Sequence, residues 1–218
     1  MIIYNPQSQK YLPERLKEAE QILNKISAKY CFITGSFLYK KKYRDIDVFI
    51  LSRSKKSFTF AQKNIKITIL DFNQLYSLFY HSVSKACVAK NILPQKDLKV
   101  AIADYWEIIN ESIPSLLNQR KSFSKNIRSL VLYTEYFKNG KVLDSIELSE
   151  RSGSFSSIEA VLKYIQKESP QAIQKNASFK YIKRFFYTQA GVYRDMKEYK
   201  AQNILYELTH KITKRSYG

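Results

Sequence analysis

The sequence predicts an α+β fold: a small mixed sheet with flanking helices over residues 1–92, then an all-helical region over 93–218. Three observations point there. Strand-like runs rich in β-branched and aromatic residues are confined to residues 30–70. Apolar residues recur at helical spacing before that stretch and again from Asp71 to the end. Only five Gly and five Pro interrupt 218 residues, which favours long helices with short connections.

Taken in order, "LPERLKEAEQILNKISAKY" spaces Leu16, Ala19, Ile22, Leu23 and Ile26 along one helical face, a first amphipathic helix. "YCFIT" (30–34) is a short apolar run ended by Gly35 and reads as a buried strand. "DIDVFIL" (45–51) alternates, with Ile46, Val48 and Ile50 on one face and Asp45, Asp47 and Phe49 on the other. "SFTF" (57–60) and "IKITIL" (65–70), separated by the polar "AQKN", read as a hairpin or two adjacent strands. Helices are expected at roughly 73–91, 95–117, 121–138, 155–167, 177–190 and 193–214 from their periodicity. Pro94 opens one of these, Asn139-Gly140 closes another in a left-handed cap, and Gly191 separates the last two. Ser154 or Ser156 is placed to cap the helix that carries Glu159.

Composition narrows the function classes. With 44% hydrophobic residues, 17 Tyr and 13 Phe, the chain has the material for a globular core. The opening "MIIYNPQSQK" lacks a basic stretch followed by an apolar run, so no signal peptide is expected. No run of about 18 apolar residues offers a membrane span. Cys31 and Cys87 are the only cysteines, and His81 and His210 stand apart from them. Buried, apolar cysteines in a reducing, cytoplasmic setting follow as the expectation.

Charge is the most pronounced bulk property: 37 Lys+Arg against 19 Asp+Glu, a formal +18. It is spread along the chain, so it is a surface property and not that of a tail. A field of that sign draws polyanions. Between residues 36 and 66, Lys40, Lys41, Lys42, Arg44, Arg53, Lys55, Lys56, Lys63 and Lys66 face only two acids. Farther on, "FKYIKRFFYTQ" (179–189) interleaves aromatic and basic residues, a pattern that serves either a helical core or base stacking. The last residues, "HKITKRSYG", are basic as well.

The chemistry sits in "TGSFLYKKKYRDIDVFI". Strands avoid Asp, and two like charges on one strand face repel, so Asp45 and Asp47 need a compensating cation. Gly35 lets a bound group approach the backbone, and Ser36 offers an N–H and a hydroxyl suited to phosphate. Residues i and i+2 of a strand point the same way, roughly 6–7 Å apart, which suits two hard oxygen donors sharing a divalent ion. These pieces read as a phosphate cradle beside a Mg²⁺ or Mn²⁺ site.

The same stretch resembles the signature of the DNA polymerase β-like nucleotidyltransferase superfamily: a hydrophobic strand, Gly-Ser, a short spacer, then Asp-hydrophobic-Asp. That superfamily includes aminoglycoside nucleotidyltransferases, CCA-adding and poly(A) polymerases, and the minimal nucleotidyltransferases of toxin–antitoxin modules. The resemblance covers residues 30–72 and the pairing of that fold with a helical C-terminal region. It implies that Gly35 and Ser36 hold a nucleoside triphosphate such as ATP and that Asp45 and Asp47 bind the metal; Lys40, where the family pattern differs, is expected to meet the triphosphate as a point charge. It further implies a third carboxylate on a later strand, which deprotonates the attacking hydroxyl. Asp71, between Leu70 and Phe72, fits that position, although an Asp there also suits a helix cap. Asp97 and Asp104 are next in line. Lys41, Lys42, Arg44, Lys55 and Lys56 are then expected to carry an acceptor RNA, tRNA in particular. A toxin or antitoxin partner protein, nucleotidylation of that partner, and a non-catalytic relative of the fold are the alternatives.

Overall fold

A computed structural model describes residues 1–53, 64–117 and 123–169. These are α+β, with a mixed five-stranded sheet and several helices. The chain divides into two compact units, Met1–Val100 with Val142–Glu147, and Ala101–Lys141 with Leu148–Gly218. No described helix is long and apolar enough to cross a membrane.

In the first unit the elements are β1 (Ile2–Tyr4), α1 (Leu12–Asn24), β2 (Tyr30–Thr34), α2 (Ser36–Tyr39), β3 (Ile46–Leu51), β4 (Ile65–Leu70), α3 (Leu78–Lys85) and β5 (Cys87–Ala89). The strand order is β1-β5-β2-β3-β4. β3 pairs antiparallel with β2 and parallel with β4. Period-2 alternation sorts the side chains onto two faces. Ile33, Ile46, Val48 and Ile50 pack with Ala19, Ile22 and Leu23 of α1. Phe32, Phe49, Leu51 and Leu70 pack with Tyr80 and Val83 of α3 on the other side. The alternation expected for residues 45–51 is therefore the one observed.

Sequence periodicity misreads one place here. Residues 73–91, expected as one helix, form a 3-10 turn (Phe72–Tyr76), then α3, then β5. The Ser77 hydroxyl accepts the Tyr80 N–H at 3.2 Å and restarts the helix, and Cys87–Ala89 is drawn into the sheet between β1 and β2. Tertiary pairing overrides local periodicity. The first compact unit runs on past residue 92. The stretch to Val100 stays with the sheet, where Tyr80 donates to the Pro94 carbonyl at 2.7 Å and the Lys99 N–H to the Tyr76 carbonyl at 2.9 Å. The return segment is held by Asn5 to Asp144 at 3.2 Å, Lys85 to the Val142 carbonyl at 2.7 Å, and the Thr34 and Ser145 hydroxyls at 2.9 Å. Cys31 and Cys87 are buried and unpaired, and burial pushes the Cys31 thiol up to about 11.

The second unit contains α4 (Ile102–Leu117), α5 (Phe123–Asn139), most of α6 (Ser145–Gly153) and α7 (Ile158–Glu168). α4 starts later than the expected residue 95, where Asp104 accepts the Ala101 N–H at 2.7 Å. Gly140, at φ +72°, closes α5 in the expected left-handed conformation. α7 is capped by Ser157 rather than by Ser154 or Ser156. α6 was not foreseen. Its start is fixed by Asp144, which accepts the N–H groups of Ile146 and Glu147 at 2.8 and 2.9 Å. The helices expected at 177–190 and 193–214 lie outside the described residues.

Inside this unit Tyr105 is fully buried between α4 and α5, stacked on Phe137 at 5.6 Å between ring centroids, its hydroxyl 2.6 Å from that of Thr134. Glu135, also buried, accepts from Tyr164 at 2.7 Å and from Arg151 at 3.1 Å. Burial works to raise its pKa, and the Tyr164 hydroxyl, Arg151, Asn139 and Lys138 together outweigh that, holding the carboxyl below its ordinary 4.5.

Candidate functional site

The N-terminal end of β3 collects most of the residues singled out in the sequence. β2 ends at Thr34, and Gly35 turns the chain at φ +84° into the single turn of α2. Thr34 pairs with Asp47 across β2 and β3. The turn brings Gly35 against that aspartate: a β-carbon at Gly35 would lie 3.0 Å from Asp47 Oδ2. The positive φ favours glycine, and any β-carbon here would press on the Asp47 carboxylate. Gly35, Ser36 and Asp47 thus share one small region of the sheet's end.

Asp45 stands just before β3, two residues from Asp47, so both carboxylates leave the same face. Its Oδ2 accepts from Lys66 Nζ and, at 3.1 Å, from Arg44 Nε. The Lys66 hydrogen bond, followed by Arg44 and opposed by partial burial, holds Asp45 below the usual carboxylate range. Lys66 lies on β4 and is the register partner of Asp47. Positive charge on Asp45 is, in this structure, supplied by Lys66 of the neighbouring strand together with Arg44.

The basic loop between α2 and β3 is held from beneath. Arg15 of α1 donates to the Phe37 carbonyl and, at 2.9 Å, to the Lys41 carbonyl. Its guanidinium lies 4.6 Å from the Tyr43 ring centroid and 5.4 Å from that of Phe37. Lys40, Lys41, Lys42 and Arg44 project exposed from this braced loop. Lys55, Lys56 and Lys63 lie outside the described residues. Neither Arg15 nor Lys66 was assigned a site role from the sequence. Arg15 sits on a helix and signals nothing by spacing; Lys66 was visible only as one of a belt of cations.

Asp71 is not brought to the other two carboxylates. β4 runs parallel to β3, with Ile46 opposite Ile65 and Leu51 opposite Leu70, so Asp71 follows the far end of the sheet. It lies five residues beyond Lys66, about 16 Å along the strand. There it caps the 3-10 turn: its carboxylate accepts the Asn73 N–H at 2.8 Å, and its own N–H donates to Gln74 Oε1 at 2.9 Å. Of the two roles open to Asp71, this geometry serves the cap. Asp71→Asn is accordingly expected to leave folding and any nucleotide chemistry near wild type, while Asp71→Ala costs about 1 kcal/mol as a lost cap. A urea titration beside a turnover assay checks both; a rate that collapses in the stable Asn variant returns Asp71 to the site. Asp104 belongs to the second unit as the start of α4, and Asp97 is exposed.

Asp45 and Asp47 are hard oxygen donors of the kind that hold Mg²⁺ or Mn²⁺. The described residues nonetheless contain no group of three or more Asp, Glu, His or Cys able to hold a metal ion. With Asp71 distant and a lysine on Asp45, the donor set does not fit a three-carboxylate metal centre. Compared with family models, with curated proteins and with solved structures, the chain gives no match.

Proposed function

We propose that the first unit binds a nucleoside triphosphate at the Gly35–Ser36 turn and the Asp45, Asp47 and Lys66 side chains, and that the chain transfers the nucleotidyl group to a hydroxyl of RNA, with tRNA the leading acceptor. The observation that carries this reading is the seat of Asp47 against Gly35, which joins the glycine-serine turn and the aspartate pair in one place. In this reading Ser36 donates to the triphosphate, and Arg44 and Lys66 meet its charge. The acceptor oxygen attacks the α-phosphorus as the bond to pyrophosphate breaks, and Asp47 takes the hydroxyl proton. The exposed Lys40–Lys42 loop and the net +18 favour a polyanionic acceptor over a small alcohol.

The test is incubation with each labelled triphosphate and total RNA. Label is expected in RNA, lost in Asp47→Asn and weakened steeply by salt, and Lys41→Glu with Lys42→Glu should lower RNA affinity while sparing triphosphate binding. A second reading, triphosphate binding without transfer, is favoured by the distance of Asp71 from the aspartate pair. Bound triphosphate with no labelled product in any acceptor pool selects it, and absence of triphosphate binding removes both readings.

A further inference from the structure

A lysine stands on Asp45, the first of the two aspartates, and its placement is built into the sheet. β3 and β4 are parallel with Asp47 and Lys66 as register partners, so the Lys66 side chain leaves the face that carries both aspartates. Its ammonium donates to Asp45 Oδ2, and the side chain is still 56% exposed. An ammonium has three N–H donors, so those not given to Asp45 are open to a ligand arriving from solvent. Arg44 reaches the same carboxylate oxygen from the loop at 3.1 Å, adding a second positive charge at the site. On the acidic side, the described residues bring no third carboxylate to this face.

We propose that Lys66 is a resident cation of this site, neutralising Asp45 and binding phosphate oxygens directly, so that a triphosphate is held without a divalent metal ion. The inference rests on the triphosphate reading above and makes it specific. A metal-bound site recognises the ligand only when the ion is supplied. A lysine site is complete as the chain folds, and it responds to charge at position 66 rather than to magnesium.

The experiment is calorimetric titration of the full chain with ATP, GTP, CTP and UTP, each in EDTA and again in excess Mg²⁺. The wild-type protein is expected to bind its preferred triphosphate with affinities within about threefold in the two buffers, and Lys66→Met to lose about tenfold or more in EDTA, the worth of a charge-assisted hydrogen bond. Lys66→Arg keeps the charge and should retain binding in EDTA. Lys66→Asp supplies the missing carboxylate and should bind only in Mg²⁺. Wild-type binding that requires Mg²⁺ overturns the inference and leaves the triphosphate reading standing, as does Lys66→Met binding like wild type in EDTA. No binding of any triphosphate in either buffer overturns the reading on which the inference rests. The wild-type comparison needs no variant to fold, and circular dichroism confirms that each variant used does.

Discussion

Gly35→Val is expected to abolish triphosphate binding and to destabilise the first unit by about 2–3 kcal/mol, the range for a non-glycine residue forced into a strained backbone region. Two costs meet at this position. A β-branched side chain at φ +84° clashes with its own backbone. Its β-carbon would also lie 3.0 Å from Asp47 Oδ2, so the carboxylate must give by a few tenths of an ångström. Gly35→Ala separates the two effects, because alanine carries the smaller backbone penalty, about 1–2 kcal/mol, but the same β-carbon. The measurement pairs urea denaturation with triphosphate titration. Alanine should bind far more weakly than its modest loss of stability explains. Near-normal binding by a folded Gly35→Ala protein would show that Asp47 need not stay where it lies.

The second large effect falls in the helical unit. Glu135→Ala removes a buried acceptor and leaves the Tyr164 hydroxyl and the Arg151 guanidinium without it. The expected loss is about 2–3 kcal/mol, within the range for unpairing buried polar partners and reduced because Arg151 keeps access to water. Glu135→Gln preserves shape and one acceptor and should cost about 1 kcal/mol. The pH dependence follows from the lowered pKa of the native carboxyl. A group depressed in the folded state contributes its stability above its unfolded pKa, ordinarily 4.5 here, and loses it as pH falls through the lower folded value. Wild type should therefore weaken on acidification below about pH 5 more steeply than Glu135→Gln. Circular dichroism at the helical band follows the unfolding of both proteins across the acid range. Equal acid slopes for the two proteins would remove Glu135 from the linkage.

The legible part of the sequence was whatever a local pattern encodes. Alternation gave β3 its two faces, helical spacing gave α1 and α5, and the Asn139-Gly140 pair gave the end of α5. The glycine, the serine and the paired aspartates stood out because strands avoid Asp and turns want Gly. What escaped depends on pairing between distant residues. β1 and β5 are three residues each and exist because Ile2 meets Ala89 and Val88 meets Ile33. Asp71 shows the difficulty most clearly. Read along the chain, an acid at the end of "IKITIL" reaches the aspartate pair if that strand runs antiparallel to β3, and lies at the opposite end if it runs parallel. Strand direction is set by the connection and by packing, not by the six residues themselves. The same parallel direction brings Lys66 beside Asp47, so one topological fact sets both where Asp71 lies and which residue adjoins the aspartates.

The interrupted course of the first unit bears on how the chain acquires its structure. Val142–Glu147 joins Met1–Val100 only after the whole Ala101–Lys141 segment has been made. A ribosome adding roughly 5–20 residues per second leaves the nascent sheet without that segment for several seconds. In that interval Thr34, the last strand residue before the Gly35 turn, lacks the Ser145 hydroxyl, and Asn5 lacks Asp144. The end of the sheet that carries the aspartates therefore gains these two contacts only after residues 101–141 have been synthesised.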